Sequence, residues 1–140
     1  MLDMDDAITR YRAASQANDI DALMATLSPN VEVVSPISGS MVFRGGDDVR
    51  FLLSAVYGCI RGLRWTSQLS AGASSVLVGE GRVAGIALTD AMVFELAADG
   101  RIARISPHLR PWLALTLFAL VLGPRVARRP SAVWRALKAV

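Results

Sequence analysis

After Gly62 the spacing of apolar residues changes from helical to alternating, and this change limits the possible folds more than any other feature. Before it, apolar residues recur every three or four positions, as in helices packed on a core. After it, apolar and polar residues alternate, which predicts strands. The four expected strands lie at about residues 64–71, 76–83, 86–96 and 101–109. Helices followed by a run of antiparallel strands predict an α+β domain.

Apolar stripes predict three helices ahead of these strands. The first begins at Asp3, whose side chain can cap it, and a second, short one spans about 20–27. The third runs from Asp48 to about Cys59, after a glycine loop. A short strand is expected at 31–35, with a further one possible at 41–44.

Two dipeptides predict the turns between the later strands. Asp99-Gly100 is a strong hairpin signal and Ala84-Gly85 a weaker one, with Gly81-Arg82 as the rival position. If the turn lies at Ala84-Gly85, Gly79 faces Asp90, and directly facing side chains lie on the same side of the sheet. That side then holds mostly apolar residues, together with two glycines and one carboxylate. Its members are Leu77, Gly79, Gly81, Val83, Ile86, Leu88, Asp90, Met92, Phe94 and Leu96.

Asp90 has two interpretations. The glycines could leave a hole with one polar wall, as in many small-molecule sites, and burial would then raise the pKa of the Asp90 carboxyl. Alternatively, Asp90 is bonded to backbone or paired with Arg61 or Arg64. The glycines would then simply allow a bulge.

Composition narrows the class of protein. The 140 residues are 53% hydrophobic, which is enough for one domain with its own core. A single cysteine, Cys59, is expected to be an inert buried thiol and predicts a cytoplasmic protein without disulfides. The only histidine, His108, is expected on the outer face of the sheet. We therefore expect no metal site and no cofactor.

Residues 111–140 form a distinct tail beyond the domain at 1–110. An apolar run from Trp112 to Leu122 is too short to span a bilayer, and Gly123-Pro124 is expected to end its helix. Residues 101–140 carry eight bases and no acid. The favoured interpretation is that the tail packs on the domain or a partner, and the alternative is a membrane surface with Trp112 and Phe118 as anchors. Nucleic acid is not expected, because the arginines lack interleaved aromatic residues.

Three sequence segments resemble the SnoaL-like and ketosteroid-isomerase-like group of the nuclear-transport-factor-two-like superfamily. They are the opening AITRYRAASQANDIDALMATLSPNVEVVSP, which includes Ser35-Pro36, then FRGGDDVRFLL and FELAADGRIARI. The resemblance covers about residues 5–111. It implies a cone-shaped, curved antiparallel sheet closed by N-terminal helices around a cavity, and often a homodimer through the outer sheet face.

The resemblance argues against a standard ketosteroid isomerase. Tyr11 matches a tyrosine that helps to hold the oxyanion in that group. The positions of the group's base, second acid and further tyrosine hold Ser35, Met92 and Leu53 instead. Neither serine nor methionine titrates usefully at neutral pH. Asp90 points the same way as Met92 along its strand and could be a relocated acid or base.

These observations predict a protein that binds a small hydrophobic molecule in an apolar pocket. The expected ligand-binding residues are Ser35, Leu53, Trp65, Leu77, Leu88 and Met92. The alternative is an enzyme of the isomerase, polyketide-cyclase or hydrolase type. Asp90 would then act as its acid–base group and Tyr11 as a hydrogen-bond donor to a developing oxyanion.

Overall fold

The computed structural model of the chain describes residues 4–138, with their side chains from Ala7 onward. The predicted cap at Asp3 therefore lies outside the described residues. The elements in chain order are α1 (Met4–Gln16), α2 (Ile20–Met24), β1 (Leu27–Val34), β2 (Val42–Arg44), α3 (Gly46–Cys59), β3 (Arg61–Ala71), β4 (Ser74–Val83), β5 (Ile86–Leu96), β6 (Ile102–Arg110), α4 (Trp112–Val126) and α5 (Pro130–Lys138).

The first three helices form where the apolar stripes predict them. Ile8, Tyr11 and Ala14 of α1 are buried, as are Val49 and Leu52 of α3. Helix α2 is shorter than expected. It ends at residue 24 because the chain turns at 25–26 and pairs as a strand from residue 27.

The predicted register between β4 and β5 is confirmed. Gly79 pairs with Asp90, and the same register continues without a shift to the pair of Val83 with Ile86 beside the turn. Both turn residues have positive φ, 50° at Ala84 and 81° at Gly85, as a tight turn matching the strand twist requires. The rival turn does not form, because Arg82 pairs with Ala87 inside the ladder.

All six strands form one sheet in the order β2-β1-β6-β5-β4-β3. The expectation of a wholly antiparallel sheet needs one correction, because β1 runs parallel to β6. Parallel neighbours need a long crossover, and here the whole segment from β2 to β5 separates them. Register shifts interrupt β3 between Arg61 and Arg64 and again between Trp65 and Ser67. Such bulges bend a strand and fit the curvature of the sheet.

Helices α4 and α5 pack on the rest of the molecule. Ala114, Phe118 and Leu122 of α4 are buried with residues of α3, β4 and β5. The predicted break at Gly123-Pro124 is wrong, since α4 continues to Val126. The proline removes one donor, but the Ala127 N–H donates to the Gly123 carbonyl at 2.9 Å and continues the helical bonding past it.

Helix α5 packs beside β2, with Ala132 and Ala136 buried in the main core. Within residues 4–138, no helix is both long enough and apolar enough to cross a bilayer.

Candidate functional site

An apolar cavity of about 280 Å³ lies between the sheet and helices α3, α4 and α5. Val33 of β1 and Ile105 of β6 lie on the sheet side, and Leu53 of α3 on the helix side. Ser35 and Asp90 are the only polar side chains that line it among the described residues. A mainly apolar space with few polar groups is the usual form of a small-molecule site.

Ser35 has its hydroxyl committed to the local turn. Its Oγ accepts hydrogen bonds from the backbone N–H groups of Ile37 at 3.1 Å and Ser38 at 3.3 Å. The oxygen stabilises the bend that follows β1, a common use of serine in turns. Ser35 therefore contributes to the wall of the cavity with a side chain that already has partners.

Asp90 is the ionisable group of the cavity. It is 3% exposed, and a hydrogen bond from the His108 backbone reaches its carboxylate, while Oδ1 has no partner in the described protein. Burial raises the pKa of Asp90 to about 7, and the bond from His108 offsets part of this rise. The predicted alternative of an arginine partner is wrong for Arg64, which binds Glu80 at 2.6 Å.

The glycines near Asp90 do not leave empty space, which corrects the first interpretation of them. A β-carbon at Gly79 would lie 2.5 Å from Cε3 of Trp65, and one at Gly81 would lie 2.8 Å from Cγ2 of Ile60. Each glycine thus admits a large side chain from its neighbourhood. The sequence indicated the close approach correctly, but the approaching group is protein.

Tyr11 lies behind the cavity, paired with a second tyrosine that the sequence analysis did not single out. The hydroxyl groups of Tyr11 and Tyr57 share a hydrogen bond of 2.6 Å, and the Tyr57 oxygen lies 3.9 Å from Sδ of Met92. Both rings are buried outside the cavity lining, and burial raises the pKa of each phenol. Tyr57 is one helical turn after Leu53 and lies on the same buried stripe of α3. The helical spacing of this stripe could therefore have identified Tyr57 as a core residue.

The predicted ligand-binding residues separate into two groups. Leu53 and Met92 line the cavity with Ser35. Trp65, Leu77 and Leu88 are buried elsewhere in the cores. His108 is exposed on the outer face of the sheet, where it was expected. Cys59 is buried, and this burial raises the pKa of its thiol.

Helices α4 and α5 of the tail supply one wall of the cavity. Phe118, Leu122 and Val126 of α4 and Val133 of α5 line it. No local pattern indicates this, because a run that is apolar on all sides does not show which side meets which cavity.

A second, polar cavity of about 380 Å³ lies at the start of α3. Its walls include Asp48, Arg129 and Arg135, and the Asp48 carboxylate binds Arg135 through two hydrogen bonds of 2.8 Å. The described residues contain no cluster of side chains suited to a metal ion. The apolar cavity is therefore the candidate site.

Comparison with known proteins identifies the family. A model of the SnoaL-like domain matches residues 8–105, which is more than half of the chain. The chain belongs to the SnoaL-like domain family. The match ends inside β6, so α4 and α5 of this SnoaL-like protein lie beyond it. No curated protein matches the chain.

Solved structures show the same fold over nearly the whole SnoaL-like chain. An uncharacterised protein with a cystatin-like fold from Silicibacter pomeroyi has a TM-score of 0.85 at 20% identity, over 93% of each chain. A steroid delta-isomerase from Pseudomonas aeruginosa has a TM-score of 0.82 at 23% identity, covering 92% of this chain and 95% of its own. A candidate polyketide cyclase from Sinorhizobium meliloti has a TM-score of 0.64 at 25% identity, covering 77% of this chain and 100% of its own.

Proposed function

We propose that this SnoaL-like protein binds a small, mainly apolar molecule in the cavity, and that Asp90 contacts its one polar group. The observation that carries the proposal is the Asp90 Oδ1 atom, which is buried in the cavity wall without a hydrogen-bond partner. A buried polar group left unpaired costs roughly 1–3 kcal/mol. A ligand with a hydroxyl or amine donor would recover that cost, and its apolar remainder would fill the space beside Leu53 and Met92.

The volume of the cavity limits the ligand. About 280 Å³ is at the lower end of the roughly 300–1,000 Å³ usual for ligand pockets. The walls contributed by Phe118 and Leu122 enclose the space from the side of the tail. A compact molecule fits this description better than an extended chain.

Thermal unfolding in the presence of small apolar alcohols and matched hydrocarbons tests the proposal. We expect the alcohols to raise the Tm, and Ala119→Phe, which fills the cavity from α4, to abolish the rise. Ala98→Phe places the same side chain on an exposed turn and should leave the rise intact. If no compound changes the Tm of the wild type, or if Ala119→Phe leaves the rise unchanged, the cavity is not a binding site.

A second candidate function is proton transfer on the bound molecule. The pKa of Asp90, raised to about 7, favours it because a general acid or base works best near the operating pH. Tyr11 would act in this candidate through its hydrogen bond with Tyr57. Incubation with a bound carbonyl compound in deuterated water should give deuterium at the carbon beside the carbonyl. Asp90→Asn should prevent this exchange while the Tm rise from apolar compounds persists; exchange that continues in Asp90→Asn excludes Asp90 as the base.

A further inference from the structure

Helix α4 has an apolar face that nothing in the described protein covers. Trp112 is 77% exposed, Leu113 47% and Leu120 67%, although the opposite side of the helix is buried. Helical spacing puts five positions on this exposed side, and none of them is charged. They are Trp112, Leu113, Thr116, Leu120 and Pro124.

Even the one hydroxyl of this face is satisfied within the helix, since Thr116 donates to the Trp112 carbonyl at 2.9 Å. A helix that is apolar on all sides normally lies within a protein core or in contact with lipid. In this chain the inner side of α4 lines the cavity and the outer side meets solvent. The outer side of α4 is therefore a surface with a missing partner.

The charges beside this face identify the partner. Residues 101–140 contain eight bases and no acid. Arg110, Arg128 and Lys138 form no ion pair with any residue in the described part of the chain, and they lie just before α4, just after it and at the end of α5. On α5, Trp134 is 61% exposed and the Lys138 ammonium lies 5.6 Å from its ring centroid. Exposed tryptophans and leucines next to unpaired cations fit an anionic lipid surface.

A second copy of the chain fits this face less well. A helix of 15 residues is about 22 Å long and about 10 Å wide, whereas a stable interface needs about 800 Å² from each partner. Antiparallel packing of α4 against its own copy would bring Arg110 near Arg128 of the other copy, and parallel packing would bring each arginine near its own equivalent. Residues 101–140 contain no acid that could neutralise these charges. Like charges at such an interface oppose association.

We propose that the exposed face of α4 docks on the surface of an anionic lipid bilayer, with α4 lying in the headgroup region and the basic residues around it contacting lipid phosphate. The helix would then contact lipid on one side and the cavity on the other. This orientation places the cavity wall formed by Phe118 and Leu122 next to the membrane. The docking does not depend on the proposed ligand.

Co-sedimentation of the full chain with lipid vesicles tests this proposal. We expect binding to vesicles that contain phosphatidylglycerol, weaker binding at high salt, and little binding to phosphatidylcholine alone. Leu120→Gln should weaken binding roughly three- to tenfold, because a leucine leaves the lipid interface. Arg128→Gln should weaken it roughly fivefold and reduce its dependence on salt.

Leu69→Gln is the matched control, because Leu69 on β3 has the same exposure, 67%, but lies on the sheet far along the chain from α4. It should bind vesicles as the wild type does. Equal sedimentation of the wild type with and without anionic lipid overturns the proposal. The proposal is also overturned if Leu120→Gln binds vesicles as the wild type does but no longer self-associates in analytical ultracentrifugation. A second copy of the chain would then be the partner that covers α4. The unfolding transition of each variant shows that it is folded.

Discussion

Asp90 is a carboxyl group that the fold keeps among apolar side chains, with the His108 backbone as its hydrogen-bond donor and Oδ1 unpaired. The folded protein holds the Asp90 proton more tightly than the unfolded chain does, because burial raises the pKa from 3.8 to about 7. The protonated carboxyl is neutral and can donate a hydrogen bond, whereas the ionised form needs a donor that the described protein does not supply to Oδ1. The stability contributed by this residue, and the ligand recognition proposed for it, are therefore both tied to pH.

The first prediction concerns this residue and the pH dependence of stability. A carboxyl with a raised folded pKa favours folding at low pH, and the free energy of unfolding falls as pH rises from about 4 to about 7. A shift of this size corresponds to a loss on the order of 4 kcal/mol. Asp90→Asn should remove that part of the pH dependence, which urea unfolding at about pH 5 and about pH 8 measures.

The control for this prediction is Asp99→Asn, in the turn between β5 and β6. Asp99 accepts a hydrogen bond from the Arg101 N–H at 3.0 Å, which an asparagine can also accept. This variant should keep the wild-type dependence on pH. If the free energy of unfolding changes with pH by the same amount in the wild type and in Asp90→Asn, the fold does not hold Asp90 in its neutral form.

At the scale of elements, Trp65 joins α1 to the sheet. Its indole N–H donates to Ser15 Oγ and its backbone N–H to Gln16 Oε1, each at 2.8 Å. Its carbonyl accepts from Arg12 Nη2, also at 2.8 Å. The ring fills the space over Gly79 on the neighbouring strand, so α1, β3 and β4 meet at one side chain.

The second prediction tests this junction through Gly79→Ala. The added methyl group would lie 2.5 Å from the Trp65 ring and 2.8 Å from the Arg64 carbonyl, and the backbone cannot yield cheaply. We expect the free energy of unfolding to fall by about 1–3 kcal/mol, as measured by urea unfolding. Combining Gly79→Ala with Trp65→Leu should cost less than the sum of the two single changes.

Gly39→Ala is the control, because a β-carbon there meets nothing within 4 Å and the φ of Gly39 is not positive. It should change stability by no more than about 0.5 kcal/mol. If the two alanine variants have equal stability, the space over Gly79 is not filled by Trp65 in solution.

At the scale of the whole molecule, one ion pair holds the end of the chain against the start of α3. Arg135 on α5 binds both carboxylate oxygens of Asp48, and the Arg129 guanidinium lies 5.4 Å from the Phe51 ring centroid. The bonds from Arg135 lower the pKa of Asp48, and Arg129 contributes to this lowering. These contacts keep α5, and with it Val133, against the cavity. The homodimer that the family resemblance implies stays a prediction at this scale.

The third prediction is that Arg135→Met loosens the tail in a pH-dependent way. A carboxyl with a lowered folded pKa contributes stability above its unfolded pKa of 3.8, and this contribution is lost as pH falls through the folded pKa. The variant should have a lower Tm than the wild type near neutral pH, and the difference should shrink in acid. Differential scanning calorimetry across this range measures it.

Arg128→Met serves as the matched control, because Arg128 is also an exposed arginine of the tail and forms no ion pair within the residues described. Its Tm should follow that of the wild type at every pH. A Tm for Arg135→Met that equals the wild-type Tm near neutral pH would show that the ion pair does not hold α5 in place.

The sequence by itself determined the period of α1, of α3 and of the later strands, and the register of β4 with β5. These features are local, because the Ala84-Gly85 turn sets which residues face each other, and alternation then puts Asp90 on the apolar side. Apolar stripes likewise located α1 and α3 without any knowledge of their partners.

Only the tertiary structure decided what lies opposite each of these faces. Trp65 fills the space over Gly79, Tyr57 meets Tyr11 across 46 residues, and Arg135 meets Asp48 across 87. Helix α4 forms a wall of the cavity for the same reason. A sequence pattern shows which side of an element a residue is on, whereas the distant group that packs against that side follows from how the whole chain closes on itself.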